Sequence, residues 1–231
     1  MYKVKEMPSQ RLCLRKGMNI IMKVKTHVKI AELVFNNNIK IVPKGFSKFM
    51  FNFGLVMVDQ SWHVKTHPHY RQKSFKYVIE KIEELLSVRR FNGYYSMQLG
   101  IVIHYLCDFC CNAHISGSIG NIQHHIKYEW GLQRYLLDNF DDLRNYFTNT
   151  SNNKGQKFNS LASIKESIEN ILEDYMKGKA SYLLDIKQCV EITFVVCSNI
   201  FAYNESLSRN IALSKCKKLT SSRGAEEVSY S

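Results

Sequence analysis

Residues Tyr94 to Ala113 are apolar on nearly every face of a helix, and such a segment belongs in the middle of a fold. Within it stand His104 and Asp108, four residues apart and so on one helical face. Leu99, Ile101, Val102, Ile103, Leu106 and Phe109 surround that carboxylate with hydrocarbon. A buried carboxylate is expensive unless a cation stands beside it, and a metal ion would keep it ionised at neutral pH. One stretch therefore predicts both the interior of the protein and something charged inside it.

The periodicity elsewhere is also helical. Thr26 stands where it can cap a first helix carrying Ile30, Leu33 and Val34. Gly45 to Asp59 is rich in phenylalanine (Phe46, Phe49, Phe51, Phe53), and Gln60 to His69, interrupted by Pro68, reads as a loop. Ser74 to Arg89 places Phe75, Val78, Ile79, Ile82, Leu85 and Leu86 on one stripe. Gly117 to Gly120 reads as a turn and Ile122 to Leu137 as a helix, with Asp138 to Phe147 extending it or starting another. The polar run Thr148 to Lys157 reads as a loop, followed by helices near Ser160 to Lys177 and Ala180 to Tyr203. Strand-like alternation is scarce and no internal repeat is visible. The expectation is an all-α fold with a single helical domain at 26–213, built around a buried central helix. An N-terminal extension at 1–25 precedes it, with Met22 as the expected true start, and a polar tail at 214–231 is expected to fray.

All eight histidines lie between His27 and His125. His125 and Glu129 repeat the four-residue spacing of His104 and Asp108, and His114 follows Asp108 by six residues, where the central helix should end. Zinc takes imidazole nitrogen and carboxylate oxygen, and these donors outnumber what a single zinc needs, so more than one ion is expected. The formal charge of +12 favours anionic partners such as lipid headgroups or nucleic acid.

Seven cysteines are an odd number, and Cys107, Cys110 and Cys111 crowd one apolar segment; they read as reduced, buried thiols. No signal peptide is visible and no apolar run is long enough to cross a bilayer, which makes a cytoplasmic location the expectation.

Thr26-His27, Asp59, Thr66-His67, the run from Leu99 through His104 and Asp108 to His114, and His125 with Glu129 together resemble the bacterial zinc-dependent phospholipase C family, in unbroken order. The resemblance implies an all-helical enzyme that hydrolyses phospholipid phosphodiesters with two or three zinc ions. It implies metal ligation by His27, Asp59, His67, His104, Asp108, His114, His125 and Glu129. His67 and His104 would serve the first zinc, Asp108 would bridge, and His114, His125 and Glu129 would hold another. Asp59 would contact both metal and attacking water and act as general base. Secreted members also ligate zinc with the amine of an N-terminal tryptophan, and no tryptophan precedes His27 here.

His63, His69 and His124 fall outside the motif. His69 replaces His67 if Pro68 shifts the loop, and His124 lies about a hundred degrees round the helix from His125. Phe51, Phe53, Trp62 and Tyr70 are candidates to wall a cationic headgroup, or else simple core aromatics. The related zinc nuclease and nucleotidase group is the rival activity, with nucleic acid as partner; it usually has aspartate where this chain has Glu129. A catalytically inactive metal-binding member that docks on anionic membranes is the alternative of another class.

Overall fold

The side chain of Ser47 accepts a hydrogen bond from the Met50 amide at 3.3 Å, and that of Asn92 accepts one from the Tyr95 amide at 3.0 Å. These caps start two helices, and the Ser47 amide donates to Ser96 Oγ at 2.9 Å, which ties the two N-terminal ends together. The computed structural model describes residues 25–36, 39, 41–60, 66–115, 122–150 and 160–226, with side chains at all of these except 122, 150 and 211–226. Helix α1 covers 25–36, and α2 (Lys48–Met57) runs into a 3-10 turn at Val58–Gln60. Next come α3 (Arg71–Ser87), α4 (Gly93–Phe109), the short α5 (Asn112–Ile115) and α6 (Ile122–Asp138). Helices α7 (Phe140–Thr150), α8 (Leu161–Lys177) and α9 (Tyr182–Glu226) complete the described order. No strand occurs among the described residues, so the fold is all-α as the periodicity predicts.

Helix α4 lies at the centre, packed by α2, α3 and α9. Its approach to α2 is set by two glycines: a Cβ on Gly54 would strike the Met97 carbonyl, and one on Gly100 would strike that of Phe51. With no side chain between them the two backbones close up, and Leu55 and His104 fall side by side. Phe46 and Phe201 (ring centroids 5.0 Å apart), with Phe35, Phe51 and Phe91, fill the space behind α2. Helix α8 repeats the rule on a smaller scale: Ser160 caps it, and Ile164, Ile168, Leu172 and Tyr175 form its buried stripe.

Three local expectations are corrected. The chain is already helical at 25, so Thr26 is a buried helix residue rather than a cap. Helix α4 does not continue to Ala113: it stops at Phe109, and the Asn112 amide donates to Asp185 Oδ2 of α9 at 3.2 Å, starting a separate short helix. Helix α7 holds through Thr150, so Thr148 to Thr150 are helical where a loop is expected, and the rest of that expected loop, 151–157, lies outside the described residues. Helix α9 is described from Tyr182 to Glu226, and residues 227–231 lie outside the described residues. The extension before residue 25, the turn at Gly117–Gly120, Trp62 and His63 lie outside the described residues. Cys107, Cys110, Cys111, Cys189 and Cys197 are buried free thiols.

Candidate metal centre

Asp108 sits on the last turn of α4, one-twentieth exposed, with four imidazoles around its carboxylate. Oδ2 lies 2.6 Å from His69 Nδ1 and 3.2 Å from His104 Nε2; Oδ1 lies 3.4 Å from His27 Nε2 and 3.5 Å from His114 Nε2. Asp59, in the 3-10 turn that follows α2, brings Oδ1 to 3.7 Å from both His69 Nδ1 and His104 Nε2. On the other side Glu129 Oε1 lies 2.9 Å from His125 Nε2 and 3.4 Å from His114 Nε2. His114 thus links the Asp108 half of the cluster to the Glu129 half.

These contacts are not an ordinary hydrogen-bonded core. Asp108 Oδ2 and His104 Nε2 are buried and have no hydrogen-bond partner although they stand 3.2 Å apart, and the far ring nitrogens His69 Nε2 and His27 Nδ1 are likewise buried without one. Two zinc ligands 2.0–2.1 Å from a tetrahedral ion lie about 3.4 Å apart, and most of the separations above fall near that edge length. Four overlapping sets have donor atoms mutually within 4.8 Å: His27, His104 and Asp108; Asp59, His69 and His104; His69, Asp108 and His114; His114, His125 and Glu129. The donor chemistry and the orphaned atoms both fit zinc.

Two imidazoles are oriented from behind. His104 Nδ1 meets the Leu55 carbonyl at 2.7 Å and His125 Nδ1 meets that of Ala113 at 3.2 Å. A ring that donates Nδ1–H to a carbonyl presents Nε2 as a lone pair, and in both cases Nε2 faces the cluster. Electrostatics reinforce the arrangement. Burial alone would push the Asp108 carboxyl up, but His114, His104 and His69 outweigh it and hold it well below its ordinary value. Burial would likewise lower His27, yet Asp108 and Cys107 more than offset this and raise it well above the ordinary imidazole value. Metal-free, the centre is therefore a set of imidazoles gathered on an ionised carboxylate. A cavity of about 30 Å³ between His27, Asp108, His114 and Glu129 opens beside it, room for an ion or a water or two.

Of the eight residues predicted from sequence, the structure gathers His27, Asp59, His104, Asp108, His114, His125 and Glu129. His67 is placed elsewhere: its ring stacks on Tyr77 with centroids 3.8 Å apart. His69 occupies the cluster instead. Residues 67–70 are held by one partner far along the chain and one close by. Tyr105 Oη donates to the His67 carbonyl at 2.8 Å, and Ser74 Oγ donates to the Pro68 carbonyl at 2.5 Å. The backbone so fixed turns one ring outward and the other inward. His124 is exposed, as its position on α6 predicts. Of the candidate headgroup aromatics, Phe51 is core and Phe53 is exposed, whereas Tyr70 reaches the centre with its ring 6.3 Å from that of His114.

Sequence reasoning did not find Asp185. It is fully buried, accepts from Tyr175 Oη at 2.8 Å, Tyr128 Oη at 2.9 Å and the Asn112 amide, and so joins α9 to the short helix of His114 and the helix of His125 and Glu129. A lone aspartate in a helical pattern carries no signal of that role.

The fold and the donor set define an all-helical protein whose clustered imidazoles and carboxylates are compatible with zinc. A family model for zinc dependent phospholipase C matches residues 26–182, which contain every donor described above, and the chain belongs to that family. No curated protein and no solved structure matches the chain.

Proposed function

We propose that the protein hydrolyses the headgroup phosphodiester of phospholipids in the manner of a phospholipase C, with two or three zinc ions in the Asp108-centred cluster. The observation that carries this reading is one connected chain of donors, Asp59 to Glu129, in which Asp108 touches four imidazoles at once. Bound zinc would neutralise the phosphate, bring a water's pKa toward neutrality and stabilise the leaving oxygen. The chain's own residues do the rest. His104 and His125 arrive pre-oriented by backbone carbonyls, which removes part of the ordering cost from ion binding. Asp108 stays ionised and serves both sides of its carboxylate. Asp59 lies at the edge of the cluster, its side chain about one-tenth exposed, where it can accept a proton from the attacking water. Tyr70 gives that region an aromatic wall beside His114.

The test pairs elemental analysis of the purified protein with turnover of phosphatidylcholine, single-stranded DNA and a generic aryl phosphodiester. Two or three zinc per chain with lipid turnover supports the reading. DNA turnover without lipid turnover moves the activity to the nuclease group. Bound zinc without turnover of any of the three makes the protein a metal-stabilised, inactive member.

A further inference from the structure

Helix α2 buries Phe51, Gly54 and Leu55 and turns another face outward. That face carries Phe49, 76% exposed, Phe53, 47% exposed, and the half-buried Val56, at spacings of four and three. Ile41 and Val42, also exposed, precede the helix, and exposed Tyr94 stands next to Gly93, which packs on Met50 of α2. So much large apolar surface gathered on one short segment signals an interaction site. Scattered single exposures would need no account, but five large side chains on one helix and its neighbours do.

The charges around it choose the partner. Between Glu32 and Asp59 the chain has no acidic residue, whereas Lys40, Lys44 and Lys48 recur at every fourth position. The turn at Lys44–Gly45 packs against the Phe91 backbone, next in the chain to exposed Arg89 and Arg90. Lys44, Lys48, Arg89 and Arg90 form no ion pair among the described residues. Aromatic side chains flanked by unpaired cations match the boundary of an anionic bilayer, where rings sit at headgroup depth and each cation gains from the surface potential. A second copy of the same basic face would be repelled. No helix among the described residues is long and apolar enough to cross a membrane, so such contact is peripheral.

We propose that the outward face of α2, with Phe49 and Phe53 as apolar anchors and Lys44 and Lys48 as cationic flanks, docks the protein on anionic phospholipid bilayers. The proposal deepens the phospholipase reading and rests on it for its purpose. Helix α2 leads into the turn that carries Asp59, so docking places that carboxylate roughly 9–15 Å along the helix axis from the two rings.

The test is co-sedimentation of the zinc-loaded full-length protein with vesicles of phosphatidylcholine and phosphatidylserine, in parallel with turnover of a water-soluble aryl phosphodiester. The wild type should bind the mixed vesicles and lose binding as salt rises. F49S/F53S should weaken binding at least tenfold, K44Q/K48Q should weaken it severalfold and flatten the salt dependence, and both should keep the wild-type circular dichroism spectrum. Wild-type-like vesicle binding by F49S/F53S, or no vesicle binding by the wild type, overturns the proposal. So does a wild-type dimer that F49S/F53S converts to monomer, because the face then belongs to a second copy. If vesicle binding follows the patch but no phosphodiester is turned over, docking stands and the catalytic reading falls; soluble turnover with patch-independent binding sinks docking alone.

Discussion

Replacing Asp185 by alanine isolates the device that holds the two halves of the centre together. The carboxylate accepts from Tyr175 Oη, Tyr128 Oη and the Asn112 amide at 2.8, 2.9 and 3.2 Å. Each donor left without a partner in the interior costs about 1–3 kcal/mol, which brackets the loss at roughly 3–9 kcal/mol. Two effects move it to the lower end. Burial raises the Asp185 carboxyl pKa against the pull of its donors, so removing the group relieves a desolvation cost. Tyr128 is only half-buried, so water can replace its partner. About 3–4 kcal/mol remains, and at roughly 2–4 °C per kcal/mol for a domain of this size the melting temperature should fall by about 6–16 °C. Thermal unfolding followed by circular dichroism, with zinc held in excess, reads this directly. Tyr175→Phe should cost about 1 kcal/mol alone and less when added to Asp185→Ala, since both remove the same bond. A melting temperature for Asp185→Ala within about 2 °C of wild type would refute the claim that this residue ties α9 to the metal-bearing helices.

The remaining predictions concern the centre itself. His69→Ala should lower the zinc content per chain and His67→Ala should leave it unchanged; elemental analysis giving the reverse would move the ligand back across Pro68. Asp59→Asn should abolish most phosphodiester turnover while the His114, His125 and Glu129 group keeps its ion, as a competing chelator titration would show. The pH dependence follows from two opposite shifts. His27 is raised, so its contribution to stability is complete below its ordinary 6.5 and is lost as pH climbs through the folded-state value. Asp108 is lowered, so its contribution is complete above its ordinary 3.8 and is lost as pH falls through the folded-state value. Metal-free protein should therefore be most stable between about pH 4 and 6.5, and the melting-temperature gap between zinc-loaded and metal-free protein should widen from about pH 6 to 8, where ions replace protons. Gly100→Ala should cost about 1–3 kcal/mol in urea titrations, because its Cβ has only the Phe51 carbonyl and the α2 backbone to occupy.

What the sequence alone determined is the part governed by backbone geometry within one element. An apolar run without a polar face can only be a central helix, and α4 is one. Residues four apart on a helix share a face, and His104 with Asp108 and His125 with Glu129 do so whatever the neighbouring elements are. The tertiary structure decided what depends on partners far along the chain. Whether His67 or His69 faces the cluster turns on a tyrosine hydroxyl 38 residues away, and no spacing rule encodes that contact. The break before His114 turns on Asp185, 73 residues beyond the amide it receives. Local periodicity specifies which way a side chain leaves its own helix. Where a loop's rings point and where a helix is cut are set by hydrogen bonds that exist only after the chain has closed on itself.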